Sequence, residues 1–227
     1  MKAIIMAGGK GTRLMPLTKN TPKSLIKING KPFLWYLMTN LKSAGITEVF
    51  IIFRDKKEKF VKFLRENKFS ANLVCQSDPL GTAHALNLLK NKMGISPFLV
   101  LAGDQLFSIQ DICSVIDLKH NFCVSSFHVN DSRKYGLLVS KKDRLLKIVE
   151  KPQTKIAGDV NASLYKFSDK LFNYLSEIKI SKRNEYELTD AISLMSKKEN
   201  IRVYNLKDFW IDLGSKEDIP KIEKILK

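Results

Sequence analysis

The chain has 227 residues, 44% of them hydrophobic, and a formal net charge of +16, which suits one large α/β domain or one domain with a small appendage. No apolar run spans a bilayer: residues 93–102 cover about half a span and contain a proline. The charge sits mostly on lysines scattered among acids, so a solvated surface is expected rather than a nucleic-acid or membrane partner.

Strand-like and helix-like segments alternate through the first half. Residues 2–6 read as a strand, 32–44 as a helix ended by Gly45, and 48–53 as a strand. Residues 54–68 form a basic amphipathic helix, 71–76 a strand, 81–91 a helix, and 97–104 a strand with Asp104 at its end. Repeated β-then-α units imply parallel strands with right-handed crossovers, and near-continuous apolar strands imply helices on both faces. The second half changes character. Residues 121–129, 135–140, 144–151 and 160–167 are strands joined by shorter turns. Helices follow at 169–178 and 185–198, then strands at 201–206 and 209–214 and a closing helix from 216. The expected fold is α/β: a single Rossmann-like sheet, mixed but mainly parallel, flanked by helices, with antiparallel additions in the second half. There is no internal repeat, low-complexity segment or linker, so residues 1–227 read as one domain.

The first strand runs into "MAGGKGTRL", Met6 to Leu14. The dinucleotide fingerprint G-x-G-x-x-G fails here, because Leu14 holds the third glycine position and Pro16 and Pro22 interrupt the helix that should follow. The Walker pattern fails as well: Lys10 is followed by Gly11, and Lys31 by Pro32. The residues still suit an anion. Gly8, Gly9 and Gly11 permit turns that aim amide N–H groups at one point. Thr12 adds a hydroxyl, Arg13 a planar fork, and Lys23 a second cation at the end of the same irregular loop. An acid such as Asp104, at a strand's carboxyl end and beside phosphates, needs a bridging cation, and Mg²⁺ takes both carboxylate and phosphate oxygens. Cys75, Cys113 and Cys123 lack a C-x-x-C pair, and His84, His120 and His128 lack metal-ligand spacing. A reducing compartment with buried thiols is expected, not a disulfide frame or a zinc site. The amino terminus carries no signal-peptide pattern, so a cytoplasmic location is expected.

The stretch "AGGKGTRLMPLTKNTPKSLIKINGKPFL" resembles the G-G-x-G-T-R-L…P-K signature of the sugar-1-phosphate nucleotidylyltransferases, and the likeness continues over nearly the whole chain in a short form without C-terminal hexapeptide repeats. The resemblance implies a nucleotide-diphospho-sugar transferase fold, with residues 1–120 mainly for the nucleotide and 121–227 mainly for the sugar phosphate. It implies nucleotide binding by Ala7, Gly8, Gly9, Gly11, Thr12 and Thr82, and base reading by Gln76 and Gly81. Arg13, Lys23, Asp104 and Lys151 become the catalytic set, and Asp212 the second metal-side carboxylate beside Asp104, with Mg²⁺ as cofactor. Gly136, Glu150, Lys151, Asn161 and Glu187 fall on the sugar-phosphate side. The family commonly has glycine where Ser163 stands in N-A-S-L-Y.

The implied reaction joins a nucleoside triphosphate and a sugar 1-phosphate, with uridylyl or thymidylyl transfer favoured by Gln76 and "LGTAHA". The implied partners are those small molecules; family members often assemble, and the sequence leaves the oligomeric state open. A guanylyltransferase for mannose or heptose 1-phosphate stays open. So does a non-catalytic subunit that binds nucleotide sugars, although intact Arg13, Lys23, Asp104 and Asp212 argue against it.

Overall fold

In the computed structural model, which describes residues 1–226, the chain opens with β1 (Lys2–Met6), whose Ala3, Ile4 and Ile5 are fully buried. An irregular loop with two 3-10 turns leads to a small hairpin, β2 (Lys27–Ile28) and β3 (Lys31–Pro32). In α1 (Phe33–Ser43) the buried residues Phe33, Leu34, Leu37, Met38 and Leu41 recur at helical spacing and seat one face in the core. After β4 (Glu48–Phe53), α2 (Lys57–Glu66) buries Phe60 and Phe63 and leaves its lysines in water, as the amphipathic pattern requires. Then come β5 (Asn72–Cys75), α3 (Thr82–Asn87), α4 (Lys90–Met93), β6 (Phe98–Ala102), β7 (Gln105–Phe107) and α5 (Ile109–Asp117). The antiparallel stretch comprises β8 (Cys123–Val129), β9 (Gly136–Lys141), β10 (Arg144–Glu150) and β11 (Gly158–Phe167). Last are α6 (Leu171–Glu177), α7 (Leu188–Met195), β12 (Arg202–Asn205), β13 (Trp210–Asp212) and α8 (Ile219–Ile225).

Several elements depart from the expected pattern. The single helix at 81–91 is two short ones, with Leu88 exposed at the break and Leu89 buried. Helix α7 starts at Leu188, because residues 181–187 turn back on themselves through Ser181 N–H to Glu185 O. Helix α5, strand β7 and the β2–β3 hairpin were not anticipated, and the strand expected over 97–104 ends at Ala102, which leaves Asp104 in the turn before β7.

The chain forms two compact units that do not follow sequence order. The first combines Met1–Pro79, Leu101–Ile112 and the stretch from Asp208 onward. In it β4 lies between β1 and β5, all parallel, with Ile5 opposite Ile51 and Ile51 opposite Leu73. A second, antiparallel ribbon pairs β7 with β13 and sets Asp212 opposite Gln105. The second unit combines Leu80–Val100 and Cys113–Lys207. Its strands run in the order β11, β8, β12, β10, β9. There β8–β12 is parallel, while β8–β11, β10–β12 and β9–β10 are antiparallel. The pairing of β8 with β11 shifts between Asn161 and Tyr165, and inside that bulge Ser163 adopts a left-handed φ of 52°. The result is a mixed α/β fold. Among the described residues no helix is long and apolar enough to cross a membrane.

Candidate active site

In the first unit the glycine loop is built as an open cradle. Ala7 N–H extends the β1–β4 pairing to Ile52 O at 2.7 Å, after which Gly8 to Gly11 leave the sheet. Gly11 has φ +63°, and a Cβ there would stand 2.7 Å from Thr18 Cγ2. Thr18 closes the turn by donating its hydroxyl to Gly11 O at 2.8 Å. The next turn, Thr12–Leu14, buries Leu14 and leaves Thr12 and Arg13 at the surface, which fixes the loop while presenting the guanidinium. Gln76 is buried, and its Oε1 lies 3.5 Å from where a Gly8 side chain would begin. The carboxamide therefore abuts the loop.

The charged residues expected from distant parts of the sequence meet in this unit. Lys23 Nζ donates to Asp104 Oδ2 at 2.6 Å. The β7–β13 ribbon brings Asp212 alongside, and Leu213 N–H bonds to Asp104 O at 3.0 Å. The Asp212 carboxyl is pushed up to about 6, first by burial and then by the negative charges of Asp104 and Asp218, with Lys23 and Arg13 pulling the other way. Two hard carboxylates that repel each other, with one ammonium bonded to Asp104 and attracting both, suit a small divalent cation. No group of three His, Cys, Asp or Glu converges among the described residues. Such an ion would thus take two protein oxygens, with phosphate oxygens and water filling its other positions, which is the usual arrangement for Mg²⁺.

The second unit holds another polar cluster. The register of β9 and β10 sets Gly136 opposite Glu150. Glu150 Oε2 stands 3.0 Å, and Asn161 Cβ 3.6 Å, from where a Gly136 side chain would begin. Glu150 is pushed up by burial, against the opposing pull of Arg183 and Lys151. Lys151 itself is exposed, held in a left-handed turn by its N–H to Tyr135 O at 2.9 Å. Asn161 is oriented at both ends: Nδ2 donates to Tyr165 Oη at 2.7 Å, and Oδ1 accepts Ser163 N–H at 3.1 Å. Each amide atom keeps capacity for one further partner.

Arg183 is the residue that reasoning from sequence missed. Its Nε and Nη2 donate to Glu187 Oε1 at 2.8 and 2.6 Å, and Nη1 lies 3.7 Å from Glu150 Oε1. One guanidinium thus ties two of the expected sugar-side carboxylates together. The i,i+4 spacing of Arg183 and Glu187 was the available signal, but it reads as an ordinary helical pair, and these residues precede the helix. Gly81 and Thr82 also belong to this cluster's support. Thr82 Oγ1 accepts Leu188 N–H at 2.9 Å, so its O–H is what remains for a ligand.

A family model, Nucleotidyl transferase, matches residues 2–227. A bifunctional sugar-1-phosphate nucleotidylyltransferase/acetyltransferase of Sulfurisphaera tokodaii is 37% identical over 99% of this chain and 55% of its own length. The chain spans about half the length of the curated relatives it matches. A Bacillus anthracis protein named for glucose-1-phosphate thymidylyltransferase, solved with sucrose, superposes with TM-score 0.88 at 28% identity, over 99% of this chain and 94% of that one. A UDP-glucose pyrophosphorylase complexed with UDP-glucose superposes with TM-score 0.87 at 23% identity, covering 99% and 97%. On the family match, which takes in nearly every residue, this chain belongs to the nucleotidyl transferase family.

Proposed function

We propose that this chain transfers a nucleotidyl group from a nucleoside triphosphate, UTP or dTTP by preference, to a sugar 1-phosphate, releasing pyrophosphate. The observation that carries the reading is the meeting of Lys23, Asp104 and Asp212 within charge reach of Arg13, which sits on the glycine loop. The pyrimidine preference rests on Gln76 against Gly8, and is supported by the names of the thymidylyltransferase and UDP-glucose relatives.

The nucleophile is an oxygen of the sugar phosphate and is already an anion, so no general base is required. A new bond forms from that oxygen to the α-phosphorus. The bond from the α-phosphorus to the bridging oxygen breaks, and its electron pair leaves with pyrophosphate. The barrier is the approach of two anions in line, so positioning and charge neutralisation carry the catalysis. Arg13 and Lys23 neutralise the triphosphate, and the loop amides of Gly8, Gly9 and Gly11 orient it. Lys151 holds the sugar phosphate as a point charge. Glu150, kept beside Gly136, accepts from ring hydroxyls, and Asn161 offers one donor and one acceptor to the same ring. Glu187 acts through Arg183, which holds Glu150 in position. Asp104 and Asp212 would hold Mg²⁺, which supplies a Lewis acid for phosphate oxygens when bound.

The test is pyrophosphate release from each triphosphate with a panel of sugar 1-phosphates. The expected result is turnover with UTP or dTTP and at least one hexose 1-phosphate. Nucleotide-sugar binding without pyrophosphate release from any pair would overturn the enzymatic reading.

A further inference from the structure

Strand β11 carries a chain of polar groups that the proposed reaction uses only in part. Between Asn161 and Tyr165 its pairing with β8 slips, and Ser163 sits in that bulge at a φ of 52°. A left-handed backbone strains a residue that has a Cβ, and such strain persists where the surroundings over-determine it. The surroundings do so here. Ala162 and Leu164 are fully buried, and Leu164 N–H bonds to Ser125 Oγ at 3.2 Å. Ser163 N–H bonds to Asn161 Oδ1 at 3.1 Å, which selects one orientation of the amide. Asn161 Nδ2 can only donate, and it gives one bond to Tyr165 Oη at 2.7 Å. Tyr165 is buried, and its hydroxyl is also hydrogen-bonded with the Ser163 side chain. Its own proton is not used on Asn161, so pairing that buried proton directs the Tyr165 O–H to Ser163 Oγ. Donation therefore runs from Asn161 to Tyr165 to Ser163, and the Ser163 O–H is the last donor of the chain. Ser163 is also the least buried of the three residues. The chain borders the sugar-side cluster, because the Glu150 charge reaches Tyr165 and Asn161 packs toward Gly136.

We infer that Ser163 is a sugar-specificity residue whose O–H, together with the spare donor and acceptor of Asn161, binds one ring hydroxyl of the sugar 1-phosphate. The inference rests on the nucleotidyl-transfer reading, and it names the sugar as a hexose with a hydroxyl at the carbon facing β11. A ring hydroxyl has one proton to give and two lone pairs. Asn161 Oδ1 takes the proton, and Asn161 Nδ2 and Ser163 Oγ fill the lone pairs. An analogue without that hydroxyl leaves these groups unpaired in a largely desolvated place, which is a basis for rejecting it. Alanine keeps the Cβ and the left-handed strain but removes the donor. Glycine removes the donor and the strain together, so stability and specificity can be read apart.

The experiment measures pyrophosphate release by the full chain with glucose, galactose and mannose 1-phosphates and with the monodeoxy analogues of each. The parent is compared with Ser163→Ala and Ser163→Gly. The parent should discriminate against one monodeoxy analogue by about tenfold or more in kcat/KM. Both variants should lose about three- to tenfold in kcat/KM on the full sugar, the scale of one neutral hydrogen bond. They should lose the same factor of discrimination against that one analogue and treat the other analogues as the parent does, since only the pair in contact is coupled. Ser163→Gly should melt above Ser163→Ala, because it sheds the strain, yet discriminate no better. A serine that serves only to pair the Tyr165 proton would give variants that melt lower while every analogue keeps the parent's ratio, and that result overturns the inference. Calorimetric binding of UDP-glucose, UDP-galactose and GDP-mannose separates the two readings. If the variants weaken nucleotide-sugar binding about three- to tenfold but no substrate pair releases pyrophosphate, the role of Ser163 stands and the proposed reaction falls. If product forms and the variants keep the parent's ratio for every analogue, the reaction stands and the inference falls. Turnover of none of these hexoses, with nucleotide-sugar binding absent or within about twofold of the parent in both variants, overturns the inference as well.

Discussion

Gly81→Ala is the substitution whose cost can be worked most fully from the structure. Gly81 has φ +106°, a conformation closed to residues with a Cβ. An added Cβ would lie 2.5 Å from Tyr186 O and 2.7 Å from Tyr186 N, so it strikes backbone rather than a movable side chain. That backbone is pinned by Tyr186 N–H to Leu80 O at 2.7 Å and Ala83 N–H to Tyr186 O at 2.9 Å. Relief therefore requires giving up part of both bonds, each worth about 1 kcal/mol net. The strained dihedral adds about 1–3 kcal/mol. A loss of about 3–5 kcal/mol follows, or about 6–20 °C in melting temperature for a chain of this size. The displaced segment carries Glu187 and is next to Arg183, so KM for the sugar 1-phosphate should rise. Calorimetry and two-substrate kinetics read the two effects. A variant melting within about 2 °C of the parent, with unchanged KM, would refute the reasoning.

Arg13→Ala should lower kcat by about 10²–10³-fold, the scale of one lost transition-state donor, with little effect on stability because the side chain is exposed; steady-state turnover and a thermal melt check both. The cysteines should separate by reactivity: exposed Cys75 is modified rapidly by a thiol reagent in the native protein, whereas buried Cys123 is modified only on unfolding. The Cys123 thiol is pushed up to about 12 by burial, against Lys166 and Arg202. An unfolded chain ionises this thiol from about pH 9 and the folded chain does not, so its contribution to stability is complete below pH 9 and is lost as pH rises toward 12. Urea midpoints that fall more steeply above pH 9 in the parent than in Cys123→Ala would bear this out; identical profiles would not.

The glycine loop was legible because its chemistry is contiguous: three glycines, Thr12, Arg13 and Lys23 lie within one irregular stretch. Asp104 was legible by its position at a strand end. Asp212 needed the resemblance, since only the β7–β13 register, formed by residues far apart in sequence, brings it to Asp104. Gly136 and Glu150 could be named singly, but their pairing depends on the hairpin register. Arg183 escaped because the segment before α7 folds back before its helix begins, and helical spacing describes that segment wrongly. Helix α5 left a signal that went unread. Ser108 Oγ accepts Asp111 N–H at 3.0 Å and donates to Asp111 Oδ2 at 3.0 Å, which is the S-x-x-D pattern of a helix start. The break between α3 and α4 had no such signal, because Leu88 and Leu89 both read as core and only packing exposes the first.

The central claim is that the chain makes nucleotide sugars at a magnesium site held by Asp104 and Asp212. Mass spectrometry of products from mixed triphosphates and mixed sugar 1-phosphates, on the parent and on Asp212→Asn, tests it most directly. The account predicts one dominant pyrimidine nucleotide sugar, formed one for one with pyrophosphate, and lost both on chelation of divalent metal and in the variant. Nucleotide sugar formed undiminished in chelator, or by Asp212→Asn at the parent's rate, would contradict it.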